Sequence, residues 1–335
     1  MTTIPLRGSV PTLRRDNPLL EEPFHFATPI DSIQDMTPYS QISQNKTKTF
    51  LIMFLFVLIF SFFFYLLGKF YTDNPSGYLV MGLIISSLSS LGSYFYSDKI
   101  ILFTTGAKPA NKKQYFDFYT VTENLAIADG LPIPKLYVIN DASPNAFATG
   151  RDRKHAVVCV TTGLLEKLDR SDLEGVVAHE LSHIKNYDIL LSSIVAVLVG
   201  TLALISDWIM RNMWWSRHSG DNDERNNRNP IFFLIFIIVL IITPIIATLI
   251  QLAISRKREF LADASGVLLT RNPAGLISAL EKIASDPHTL RTATSSTAHL
   301  FIVNPFKKKS FSSWLLTLFS THPAIEERIK ILREM

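Results

Sequence analysis

The stretch Ser171-Asp-Leu-Glu-Gly-Val-Val-Ala-His179-Glu180-Leu-Ser-His183-Ile-Lys-Asn186-Tyr-Asp188 decides how this chain is read. Ser171 with Glu174 predicts a capping box ahead of an apolar-periodic helix running through Val176, Val177 and His179. Four residues of helix turn about 400°, so His179 and His183 stand about 40° apart and one turn apart, the bite a tetrahedral Zn²⁺ requires. Glu180 points about 100° aside and is placed to act as general base on water at the metal. A catalytic site needs a third protein ligand. In Ser255-Arg-Lys-Arg-Glu259-Phe-Leu-Ala-Asp263, Glu259 and Asp263 share a helical face, so Glu259 can ligate while Asp263 hydrogen-bonds a ligand histidine from behind. On its own, Glu259 would read as the solvated start of a basic helix.

The surroundings of these two helices are apolar. Of 335 residues only 19% are charged, and mean hydropathy is +0.22, which argues against a soluble or disordered protein. Residues 49–68, 77–97, 189–206 and 229–255 each lack Asp, Glu, Lys and Arg, and each is near the roughly 20 residues that cross a bilayer. These predict membrane hairpins with spans at about 49–68 and 77–97, then 189–210 and 231–254. The first block has no small-residue cleavage site and reads as a permanent anchor, not a secretory signal. The lone Cys159 excludes an internal disulfide and cysteine metal clusters. A net charge of only +4, with basic residues flanking the apolar blocks, suits a lipid surface and not nucleic acid. Lysines and arginines before the first span, after the second and after the fourth predict that the N-terminus and the segments bearing the histidines and Glu259 are cytoplasmic; the arginines of 211–229 oppose this in part.

Two crossings between His183 and Glu259 return the chain to the same side. Both helices are expected to continue into spans, which sets both ligands at one height and fixes the metal about 8 Å above the hydrocarbon boundary. The expected organisation is a proline-rich tail with little structure (1–38), a membrane hairpin (39–97), a first catalytic part (98–188), a second hairpin (189–255) and a second catalytic part (256–335). Within the first part, 119–130 reads as a helix, 136–139 as a strand, and 146–150 with 156–160 as a hairpin. Residues 259–285 read as one helical stretch, followed by an apolar segment at 311–319 and a charged terminal helix.

The chain resembles the HtpX-type integral-membrane zinc metallopeptidases, relatives of the CAAX-processing prenyl endopeptidases. The resemblance rests on Tyr39-Ser-Gln-Ile-Ser-Gln-Asn-Lys46, Asn145-Ala-Phe-Ala-Thr-Gly150, His179-Glu-Leu-Ser-His-Ile-Lys-Asn186, Arg258-Glu-Phe-Leu-Ala-Asp263, and Thr321-His-Pro323 followed by Arg328. It implies one Zn²⁺ per chain held by His179, His183 and Glu259, with Glu180 catalytic and Asp263 and Asn186 behind the ligands. It also implies a catalytic role for His322 and substrate binding by a strand at Asn145, Ala146, Phe147 and Ala148 together with Arg328, both His322 and Arg328 standing at the active site. From the residues alone, His322 is equally a helix cap before Pro323. Residues 1–38 have no counterpart in the family, and Tyr187 stands where an arginine is common. His25, His155, His218, His288 and His299 lack paired spacing and read as surface or loop residues.

The expected fold is therefore an α-helical membrane protein with four transmembrane helices and a cytoplasmic α+β zincin-like metalloprotease domain. The expected activity is zinc-dependent endopeptidase cleavage of membrane or misfolded proteins beside the plasma-membrane bilayer. A non-catalytic four-span scaffold or transporter with a structural zinc is the competing reading. It is opposed by the retention of Glu180 and by the absence of ionisable groups within the apolar blocks.

Overall fold

The computed structural model describes residues 38–71, 75–218, 255–294, 296–305 and 323–335. Among the described residues two helices are long and apolar enough to cross a membrane: α1 (Pro38–Tyr71) and α2 (Ser76–Thr105). They pack along their length, with the Ser61 and Ser86 hydroxyls 3.4 Å apart. Their outer faces expose Phe50, Phe54, Leu58, Phe62, Leu83, Leu88 and Leu91, an apolar surface far larger than water tolerates. The helix α6 (Asp188–His218) makes a third span if it is counted together with the helix before it. Its Leu191, Ile194, Val195 and Leu198 pack on Ile52, Phe56 and Phe60 of α1. The expected fourth span lies outside the described residues.

Between α2 and α6 the chain builds β1 (Lys108–Pro109), α3 (Phe116–Ala128), β2 (Lys135–Ile139), β3 (Ala146–Thr149), β4 (Val157–Thr161), α4 (Thr162–Lys167) and α5 (Arg170–Lys185). The sheet order is β1-β2-β4-β3, with β2 and β4 parallel and β3 and β4 antiparallel, Ala146 opposite Val160. β3 is thus one of the two edge strands. C-terminal to α6 the described residues form α7 (Arg256–Thr270), α8 (Pro273–Ser285) and α9 (Ile325–Arg333). The core of this half joins Val158 and Val160 to Val176, Val177 and Leu181 of α5 and to Leu276 and Leu280 of α8. Packed between α3, α7, α8 and β3, α5 is buried nearly all round.

Several expectations are corrected. The first membrane helix starts earlier than the apolar block, because α1 begins at Pro38, eleven residues before the expected span start at 49. The cap of α5 is Asp169, not Ser171: its side chain accepts from Asp172 N at 3.0 Å, and Asp172 returns the bond. The stretch 259–285 is two helices, because Arg271 takes φ 53°, Asn272 caps the next helix and Pro273 opens it. Neither helix carrying the metal-type residues runs straight into a span. α5 and α6 meet at 84°, broken at Asn186 and Tyr187, where Tyr187 takes φ 60°; Ser255 before α7 is extended. The 8 Å height estimate assumed continuous helices and loses its basis.

Candidate active site

Helix α5 turns His179 and His183 towards α7, which presents Glu259. The two Nε2 atoms are 3.1 Å apart, and each lies 3.7 Å from a Glu259 carboxylate oxygen. One ligand atom from each residue falls within 4.8 Å of the other two. Ligands about 2 Å from a tetrahedral centre stand about 3.3 Å from one another, so this donor set fits a metal ion. The helices come this close because α7 has Gly266 against His179, where a Cβ would lie 3.1 Å from the His179 nitrogen.

Each imidazole is fixed from behind. Asp263 lies 2.8 Å from His179 Nδ1, and Asp188 lies 2.9 Å from His183 Nδ1. A carboxylate at Nδ1 keeps the proton there and leaves the Nε2 lone pair facing inward. Burial lowers the His179 pKa against the pull of Asp263. At His183 burial acts the same way, but Asp188, Glu259 and Glu180 outweigh it and hold the imidazole at about 9 until a cation takes the proton's place. Burial would raise Asp263, yet Arg328 and His179 bring its carboxyl below the usual range.

Arg328, expected at the substrate, is placed elsewhere. It is 1% exposed, donates Nε and Nη2 to Asp263 at 2.8 and 2.6 Å and donates Nη1 to Ile302 O at 3.1 Å. Its guanidinium is consumed in bracing the carboxylate behind His179. Asn186 meets the site through its backbone, its carbonyl accepting from Asn45 at 3.0 Å. His322 lies outside the described residues.

Glu180 is buried beside the two histidines, and burial pushes its carboxyl up to about 7, helped by Glu259 and opposed by His183, Arg328 and a hydrogen bond from the Ala148 backbone. The cleft in front is lined by Ala148, His299, Leu300 and Ile302 as well as Glu180 and the ligand residues. At about 30 Å³ it is far below the few hundred Å³ of a ligand-filled site. On the expected substrate strand, Phe147 packs edge-on against Phe301, and Asn145 Nδ2 donates to Val303 O at 2.9 Å. Ala146 O accepts from Ile302 N at 2.9 Å, so the segment before Val303 runs along the outer edge of β3.

Three residues of this site were missed in the sequence. Asp188 closes the stretch quoted first but lies across a helix break that carries no proline or glycine. Asn45 sits in α1, where its side chain donates to Asp188 at 2.7 Å and accepts from Arg258 at 2.8 Å. His299, expected on the surface or in a loop, is in a short helical turn but only 5% exposed, with Nε2 3.1 Å from Ser192 O. No spacing in the sequence marks it.

Comparison with known proteins agrees with this geometry. Peptidase family M48 matches residues 114–335. A protein described as Protease HtpX homolog from Caldanaerobacter subterraneus subsp. tengcongensis is 44% identical over 301 residues, covering 89% of this chain and 98% of its own length. One of the same description from Tropheryma whipplei (strain Twist) is 45% identical over 297 residues, with the same coverage of both chains. The crystal structure of S. mikatae Ste24p overlaps with a TM-score of 0.44 at 17% identity, covering 88% of this chain and 67% of that one, too loosely to bear on the fold. Family membership implies a metal, for which His179, His183 and Glu259 supply the donors. By its match over most of its length, its apolar helices and its metal-binding geometry, the chain belongs to peptidase family M48 and is a membrane-bound metalloprotease of the HtpX type.

Proposed function

We propose that the chain is a zinc endopeptidase cutting membrane or misfolded proteins in extended segments beside the cytoplasmic face of the plasma membrane. Four spans anchor it, with the N-terminus and the catalytic parts on the cytoplasmic side. The observation that carries this reading is the convergence of His179, His183 and Glu259 on one point, with the buried Glu180 carboxyl at the same cleft.

When bound there, Zn²⁺ supplies Lewis acidity to the attacking water and to the scissile carbonyl. Glu180 takes the proton of that water on a carboxylate oxygen and returns it to the leaving amide nitrogen. The Ala148 N–H orients Glu180 towards the edge strand, which joins the base to the place where substrate lies. A substrate strand laid along β3 must displace Ile302 from Ala146, so binding is coupled to opening of the cleft. A folded segment cannot offer such a strand, so unfolding or local fraying of the substrate precedes cutting. His322 is assigned the oxyanion contact on the family resemblance. Arg328 acts by holding Asp263, not by touching substrate.

Glu180→Gln tests the mechanism. Metal content by mass spectrometry should be unchanged, while cleavage of a casein-like unfolded substrate should fall at least about 100-fold. Undiminished cleavage would remove Glu180 from the reaction.

A further inference from the structure

The first membrane helix reaches the metal site through a single amide. Asn45 of α1 is 3% exposed. Its Nδ2 donates to Asp188 Oδ1 at 2.7 Å and to the Asn186 carbonyl at 3.0 Å, and its Oδ1 accepts from Arg258 Nη1 at 2.8 Å. Asp188 in turn holds His183, and Arg258 is the neighbour of Glu259 in α7. Arg258 Nε also lies 3.7 Å from Asp188 Oδ1. Three elements distant in sequence thus close a ring behind two of the three ligands. The next residue serves the same junction: Lys46 Nζ lies 4.4 Å from the centre of the Tyr187 ring, the residue whose positive φ makes the break between α5 and α6.

We propose that Asn45 is a positioning residue for the metal site, setting the separation of His183 and Glu259, so that α1 is a working part of the catalytic centre as well as an anchor. The physical requirement is chemical as well as spatial. Asp188 must receive a donor on the oxygen that does not face His183, and Arg258 must be given an acceptor, and both must be satisfied in a buried place. A carboxamide offers donor and acceptor at opposite corners of one rigid group. The proposal rests on the zinc reading above.

The test uses the full chain in detergent and reads zinc affinity by competition with a graded chelator series, alongside thermal unfolding in the metal-free state. Asn45→Ala should weaken zinc binding about 10- to 100-fold, the range for loss of groups behind metal ligands. Asn45→Asp should be worse, because it sets a carboxylate against Asp188. A purely structural role for Asn45 would lower the unfolding temperature of the metal-free protein in Asn45→Ala and leave chelator competition as in the wild type, which overturns the proposal. The same holds if Asn45→Asp binds zinc as tightly as the wild type. His179→Ala separates the two readings: zinc retained there sinks the ligand assignment itself, whereas zinc lost there but unchanged in Asn45→Ala sinks only the role of Asn45.

Discussion

The two histidines of α5 are fastened to different halves of the molecule. His179 is backed by Asp263, and Asp263 by Arg328; these groups come from α7 and α9, and all three side chains are at most 2% exposed. His183 is backed by Asp188, which lies beyond the helix break at the start of α6 and is held by Asn45 from α1. Its side chain is 15% exposed. One ligand is therefore set by the packed core of the catalytic half, the other by the junction with the membrane helices. A change in how the membrane helices pack has a route to His183 and none of comparable directness to His179.

The largest effect should come from the His179 side. Arg328→Ala leaves Asp263 buried with half its partners gone, and an uncompensated buried carboxylate costs about 3–5 kcal/mol. Denaturant unfolding should show that loss in the metal-free protein and the metal-bound protein alike. Only a change confined to the metal-bound form would mean that Arg328 acts on the metal and not on the fold, and the contrast between the two sides would fail.

The same contrast explains what could be read from the sequence. His179, Glu180 and His183 follow from helical geometry over five residues, and so does the pairing of Glu259 with Asp263 four residues on; spacing alone puts each set on one face. The edge strand at 146–149 was legible from its hairpin pattern. What joins the pieces was not. Asn45 and Asp188 are 143 positions apart, and a hydrogen bond across that distance leaves no local period. The bend between α5 and α6 escaped because Asn186 and Tyr187 are not helix breakers of the usual kind; Arg153 donating to the Lys185 carbonyl at 2.6 Å, with its guanidinium 5.4 Å from the Tyr187 ring, helps to hold it. Arg328 was recognised by resemblance, but its partner Asp263 had to be seen in space.

A smaller effect separates packing of the fold from geometry of the site. At Gly175, on the face of α5 that meets α8, an added Cβ would lie 2.7 Å from the backbone nitrogen of Leu276. Backbone cannot yield as a flexible side chain can, so Gly175→Ala should lose about 1–3 kcal/mol by overpacking. Leu276 does not line the cleft at the ligands, so zinc affinity of the folded protein should stay within about twofold of the wild type. Chelator competition at a temperature where the variant is fully folded checks this, and a tenfold fall in affinity would show that the α8 contact also governs the site.

The smallest change in stability should come from Gly266→Ala, and it should be the more informative for that. In the helix α7, alanine is favoured over glycine by about 1 kcal/mol. Against this, the new methyl carbon would stand 3.1 Å from the His179 nitrogen and 3.4 Å from the Ala178 carbonyl carbon, close enough that α7 must withdraw by a few tenths of an ångström. The two terms nearly offset, so unfolding free energy should move by less than about 1 kcal/mol. The withdrawal, however, carries Glu259 and Asp263 away from His179 together, because they belong to the same helix. Zinc affinity should therefore fall several-fold with little change in stability, the reverse of Gly175→Ala. If affinity and stability instead fall together in both variants, α5 responds as one rigid body, and the separate fastening of its two histidines has no energetic meaning.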